Sequence, residues 1–292
     1  MKFFAASLSV LFVFFCSSTW ATMKFIYHAP ESSSDSRYDF HWKVLREILE
    51  TTSAKYGPYE MHASVFMTED RQISEIQKKH ASLTVMIRET DQQMEKILIP
   101  VRIPIDRNLL GYRVFLIKDS FQKHFDKWNS LEDLKQVPLG QGQGWGDIKI
   151  LEKAGFKVLT EIYYDDLFKH LSTGRYLAFP RGISEVHKEL ETFQKLYPHL
   201  TIEKKFLIYY PLPTYFWFQN SAEGKVTARR VEEGFRILLK NGEYQKIFDN
   251  YYAANLAKLK LKKRQLIKLE NPYLPATVPF KEKELWYDPF KD

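Results

Sequence analysis

The 292-residue chain has a single cysteine, Cys16, and it lies in the apolar stretch at the start. Without further cysteine there is no disulfide, no thiolate nucleophile and no cysteine-bound metal, so stability has to come from packing. Glycine is scarce too, 12 in all, and four fall within eight residues, GQGQGWGD at 140–147. Past residue 21 no apolar run reaches the roughly 20 residues that a membrane span needs. The 8 histidines are scattered. None of them forms an H-E-x-x-H, a histidine pair or an Asp/His cluster at metal-ligand spacing, and no cofactor motif is present, so neither metal nor cofactor is expected. G-x-S-x-G is absent, which removes one serine-hydrolase signature. Asp165 and Asp166 are adjacent carboxylates, but neighbours on a helix face different directions and read as a solvated pair.

The first 21 residues, MKFFAASLSVLFVFFCSSTWA, combine a basic Lys2, an apolar stretch from Phe3 to Cys16 and a small-residue exit at Thr19-Trp20-Ala21. That pattern predicts a secretory signal peptide over residues 1–21 and a periplasmic protein free of the membrane, and cleavage there removes Cys16. A lipoprotein is disfavoured because Phe14 and Phe15 stand where small residues are required. What is left, about 270 residues, suits one large domain or two lobes. Its 45% hydrophobic and 15% aromatic content can fill such cores. The net charge of +7 is spread out except in KLKLKKRQLIK at 258–268, which reads as a solvated helix face. Nucleic acid is not expected as a partner of an exported protein.

Along the chain, apolar segments alternate with helical patterns in the manner of an α/β protein. KFIYHAP, MHASVF, LTVMI, YRVFLIK and YLAFPRG read as strands. Tyr38, Trp42, Leu45 and Leu49 recur at helical spacing, and EDRQISEIQKKH reads as a polar-faced helix. Two closing helices carry Val231, Phe235 and Leu238, then Tyr244, Ile247, Phe248 and Tyr251. Ser130 to Asp133 form a capping box. Asp147 is placed to cap the helix DIKILEKAGF, with Gly155 and Gly174 ending their helices. The proline-rich tail from Asn271 is expected to lie extended over the surface. The glycine loop fits neither nucleotide motif: Gly146 is followed by Asp147 and Ile148 rather than Lys-Ser/Thr, and Trp145 stands where G-x-G-x-x-G needs its third glycine. It remains a strand, a tight turn and a helix start, a place where amides approach an anion or acceptor. The alternative is a purely structural turn.

The order of LEDLKQVPLGQGQGW, ILEKAGFKVLT, YYDDLFKHLSTGRYLAFPRG and NGEYQKIFDNYY resembles the second half of the type 2 extracytoplasmic solute-binding proteins, in the amino-acid-binding branch called family 3. PVRIPIDRNLLGYRVFLI, GQGQGW and YLAFPRG resemble an uncharacterised exported subgroup of that superfamily. The resemblance implies an α/β type 2 periplasmic binding fold. In it two lobes, each a mixed sheet flanked by helices, are joined by two hinge strands and close on a ligand. Residues 22–112 are then the first part of lobe 1 and 113–213 lobe 2. Residues 214–292 are the return helices of lobe 1 and the tail.

The departures from the family bear on the ligand. Where the family places an arginine for the ligand carboxylate, this chain has Gln92 or Gln93, with Arg88 one turn earlier. Where the family offers an aspartate to the ammonium, this chain has Arg181, and Leu177 stands in for a further aspartate. A guanidinium suits carboxylate or phosphate. The expectation is a small polar, anionic or acceptor-rich ligand. It would be held by Arg181 and the amides of Gly142, Gln143 and Gly144, with Trp145 and Tyr27 as aromatic contacts, and Arg88 and Glu31 at the lobe 1 edge. Against this, Arg181 reads equally as a salt bridge to Glu31 or Glu185, and Arg37 and Arg71 read as solvated charges. The resemblance implies a monomeric, non-enzymatic protein that delivers its ligand to an ABC importer permease. The alternatives are a periplasmic lyase or dehydratase on the same fold, or a ligand-sensing partner of a membrane receptor.

Overall fold

In a computed structural model the described residues are 21–291. The expected signal peptide and Cys16 thus lie outside the described residues, apart from Ala21. No described helix is long and apolar enough to cross a membrane.

The chain begins β1 (Met23–Tyr27), α1 (Asp39–Thr51), α2 (Ser53–Tyr56), β2 (Tyr59–Ala63), α3 (Glu69–Ile76), β3 (Met86–Glu89), α4 (Met94–Ile97) and β4 (Leu98–Val101). Strands β1 and β2 are parallel, and β3 and β4 flank the antiparallel β11 (Thr214–Gln219). A parallel bridge from Tyr27 to Val85 joins these pieces into one mixed sheet, that of the first lobe. Helices α10 (Ala222–Lys240) and α11 (Glu243–Lys258) return to it, as their apolar stripes require. Val231, Phe235, Leu238, Tyr244 and Phe248 are buried there with Phe40, Val44, Leu45 and Ile48 of α1.

The second lobe contains β5 (Tyr112–Lys118), α5 (Gln122–Lys127), α6 (Leu131–Lys135), β6 (Leu139–Gly142), α7 (Ile148–Lys153), β7 (Val158–Glu161), α8 (Tyr164–Thr173), β8 (Phe179–Gly182), α9 (Val186–Phe193), β9 (Leu200–Ile202) and β10 (Phe206–Tyr209). Its sheet runs β10, β5, β8, with β9 also on β5 and the parallel pair β6–β7 attached by a bridge from Leu139 to Ala178. Ser130 forms the expected capping box, its hydroxyl accepting from the Asp133 amide while Asp133 accepts from the Ser130 amide. Gly155 and Gly174 follow their helices with positive φ, as expected.

The continuous apolar strands are explained by burial on both faces. In β11, Phe216 and Phe218 face one core while Tyr215 and Trp217 face another, and β5 divides Val114 and Leu116 from Phe115 and Ile117 in the same way. The basic run departs from its expected helix: α11 stops at Lys258, and β12 (Gln265–Lys268) pairs parallel with β10 in the second lobe. The tail therefore does not simply lie on the surface with lobe 1, for Val278 and Leu285 are buried beneath it.

Two strand connections cross between the lobes, residues 102–111 and 210–213. Asp106 accepts from the amides of Asn108 and Leu110, and Asn108 accepts from the amide of Leu212 on the other crossing. Arg107 and Asn108 are consecutive non-glycine residues with positive φ, 54° and 64°, so the crossing carries local backbone strain.

Candidate functional site

The site lies where the loops of the two lobes meet. From the first lobe come the β1–α1 loop with Arg37 and Tyr38, His41 on α1, Glu69 at the start of α3, and Arg88 and Glu89 at the end of β3. The crossing contributes Asp106. From the second lobe come Arg113 on β5, Trp145 and Asp147 beyond β6, and Arg181 and Glu185 beside β8. The cavity they leave is only about 30 Å³, room for a water or two and not for a solute. The lobes thus meet through their own side chains.

The glycine loop is what makes this closeness possible. A Cβ at Gly140 would stand 2.2 Å from the Tyr176 ring, and one at Gly142 would stand 2.2 Å from the Trp145 indole. Gly144 adopts φ +84°, a conformation side chains rarely take. The loop's amides are largely spent at home, Gln143 donating to the Glu161 carbonyl at 2.8 Å and Trp145 to the Gly142 carbonyl at 3.2 Å. Gln143 itself is exposed. What the loop holds is Trp145, buried and overlaid by two guanidiniums, Arg37 at 4.9 Å and Arg181 at 4.8 Å from the ring centre.

Arg181 is buried and already neutralised. It gives a bidentate pair to Glu189, 2.8 and 2.6 Å, and reaches Glu185 at 3.0 Å. The salt-bridge alternative with Glu185 is therefore present, and Glu189, which the sequence reading did not single out, completes it. Arg88 reaches across the cleft: it pairs with Glu69 at 2.7 Å and donates to the Gly144 carbonyl at 3.0 Å. Glu31 holds Arg37 at 2.7 Å. Tyr27 packs on Trp42, ring centres 4.7 Å apart, and does not line the cavity.

Several site residues escaped the sequence reading. Arg37, read as solvated, is buried: it makes two 2.8 Å bonds to Asp35 and lies 4.5 Å from the Tyr164 ring centre. Arg71, in contrast, is exposed as expected. Arg113 pairs with Asp147 at 3.0 Å, and its one sequence signal was to be a lone charge inside the apolar strand YRVFLIK. Asp147 does stand at the helix start, but its side chain makes no cap bond; it turns inward to Arg113, Gln141 and Tyr210. Three buried groups around the cavity keep polar atoms without a hydrogen-bond partner: Arg113 Nε, Thr214 Oγ1 and both ring nitrogens of His41.

Burial dominates the electrostatics. It lowers His41 to about 3, with neighbouring His28 adding to the effect, and raises Asp106 to about 6. Burial, with Glu89 and Glu31 nearby, pushes Glu69 up to about 8 against the pull of Arg88. Asp35 goes the other way: although burial opposes it, the Arg37 guanidinium and backbone amides hold its carboxyl well below the usual range.

This geometry has relatives of known structure. An ancestral arginine-binding protein bound to arginine matches with a TM-score of 0.58 at 17% identity, covering 79% of this chain and 98% of that one. A Streptococcus mutans structure concerned with glutathione import via GshT and the cystine ABC importer TcyBC matches with a TM-score of 0.59 at 12% identity, over 80% and 96% of the two chains. A histidine kinase sensor domain similar to periplasmic binding proteins gives a TM-score of 0.57 at 12% identity, over 79% and 95%. No protein-family model and no curated protein matches the chain. At these identities the likeness defines the fold. The chain has the two-lobed, type 2 periplasmic-binding-protein fold of the amino-acid-binding solute receptors.

Proposed function

We propose that the chain is a periplasmic solute-binding protein that captures a small polar solute between its lobes and delivers it to an ABC importer permease, acting as a monomer and without catalysis. The observation that carries this is the set of partnerless buried polar atoms of Arg113, Thr214 and His41 around the inter-lobe cavity. Buried polar groups are seldom left unpaired, because each costs free energy, and a solute's acceptor end satisfies a guanidinium N–H and a hydroxyl together. The anionic or acceptor-rich end first assigned to Arg181 is therefore assigned to Arg113 Nε and Thr214 Oγ1. The contacts that bring the lobes together support reversible closure, being polar and exchangeable with water: Ser32 to Asp165, Arg88 to the Gly144 carbonyl, Asp91 to Lys149 and Asp39 to Lys188. The solved relatives named above bind arginine or belong to import systems, which supports the same role.

The test is a thermal-shift screen of residues 22–292 against amino acids, dicarboxylates, sugar acids, phosphate esters and polyamines. A ligand present at 100 times its dissociation constant adds about 2.7 kcal/mol, a readily measured rise in melting temperature. A stabilising solute whose effect is lost in Arg113→Gln supports the reading. A solute that stabilises wild type and Arg113→Gln equally would move the site elsewhere. The second reading, a sensor that passes ligand occupancy to a membrane receptor, is favoured by the likeness to the kinase sensor domain. Binding of the liganded protein to importer-containing membranes separates the two.

A further inference from the structure

We propose that Glu31, Asp35, Trp145 and Tyr164 form a guanidinium subsite which the chain fills with its own Arg37, and that a solute bearing a planar cation enters by displacing that side chain. The inference rests on the reading of the cleft as the solute site. Arg37 Nε donates to Asp35 Oδ1 at 2.8 Å and Nη2 to Asp35 Oδ2 at 2.8 Å, while Nη2 also reaches Glu31 Oε1 at 2.7 Å. That is a planar fork matched to a carboxylate, with a second carboxylate beside it, a pattern suited to guanidinium or amidinium rather than to a tetrahedral ammonium. Two aromatic faces complete the cage, with the Arg37 carbon 4.5 Å from the Tyr164 ring centre and 4.9 Å from that of Trp145.

The parts come from different lobes. Glu31, Asp35 and Arg37 lie on the β1–α1 loop, between Tyr27 and Asp39. Trp145 and Tyr164 belong to the second lobe, so the cage is whole only when the lobes are shut, and hinge opening strips Arg37 of both rings. The exchange is isoelectric by necessity. With Arg37 turned out, Glu31 and Asp35 are left beside two aromatic rings without their cation, and a buried carboxylate without a cation is strongly disfavoured. An incoming group must therefore supply a positive charge. Together with the acceptor end assigned to Arg113, this describes a solute with a planar cation at one end and an acceptor at the other.

The experiment uses methylguanidinium as probe, on the chain of residues 22–292, with sodium chloride at equal ionic strength as control. In wild type the subsite is filled, and no saturable binding by calorimetry is expected. Arg37→Ala is expected to bind methylguanidinium saturably, at least about tenfold more tightly than ethylammonium, which lacks the fork. Adding Tyr164→Leu to that variant should weaken the binding. If Arg37→Ala does not fold, Arg37→Met retains the stem and takes its place. Equal binding to wild type and variant, or no binding to either folded variant, overturns the proposal. Either failure leaves the solute screen and Arg113→Gln untouched, so the capture reading fails or stands separately.

Discussion

Replacing Arg181 by alanine separates a structural cation from a ligand-binding one. Its guanidinium is 1% exposed and compensates Glu189 and Glu185, whose side chains are 3% and 9% exposed. Removing it leaves two carboxylates in a dry site, one of which also accepts the Tyr164 hydroxyl at 2.7 Å. Breaking a buried pair by deleting one partner costs about 3–5 kcal/mol. At roughly 2–4 °C per kcal/mol for a chain of this size class, the melting temperature should fall by about 6–20 °C. The assay is urea and thermal unfolding followed by circular dichroism. The control is the triple change Arg181→Met, Glu185→Gln, Glu189→Gln, which removes all three charges at once. Since a buried ion group exchanged for neutral side chains is often close to neutral in stability, the triple variant should recover most of the loss. An Arg181→Ala protein melting within about 2 °C of wild type would refute the reasoning, because it would mean that the carboxylates were never desolvated.

Two further outcomes follow from the cleft. Glu69 is raised from an ordinary 4.5 to about 8, so the native state keeps a proton that the unfolded chain has released across that window, and stability falls as pH rises through it. His28 and His41, lowered from 6.5 to about 4 and about 3, act oppositely, stabilising above 6.5 and losing that contribution as pH falls. Between 6.5 and about 8 the Glu69 effect therefore stands clear, and Glu69→Gln should flatten the decline of the urea midpoint there; an unchanged slope would count against it. In the glycine loop, Gly142→Ala forces a methyl to within 2.2 Å of the Trp145 ring. A loss of about 1–3 kcal/mol is expected, with a changed near-ultraviolet tryptophan signal, and unaltered unfolding would show that the ring has room to move.

How much of this was legible in the chain differs from element to element. The strand YRVFLIK was read with its true limits, and the return helices were recognisable from Val231, Phe235 and Leu238, because periodic burial is written in neighbouring residues. The capping box at Ser130 and the helix-ending glycines were legible for the same reason: their hydrogen bonds close within a few positions. The strand β12 was hidden, since its basic residues continue the run that ends α11 and only the edge of β10 makes it extended. Asp147 was placed at its helix start but given the wrong partner, because Arg113 and Tyr210 lie far away along the chain.

The candidate site shows the division most sharply. Sequence alone determined the α/β lobes, the turn of small residues before α7, and the presence of arginines where relatives carry other groups, since each depends on residue type and short-range spacing. Whether a given arginine is free was settled only by the tertiary structure. Arg181 meets Glu189 eight positions on, and Arg37 meets Trp145 and Tyr164 from the opposite lobe. A charge acquires its role from the groups that share its desolvated volume, and those groups are brought together by the fold rather than by their order in the chain.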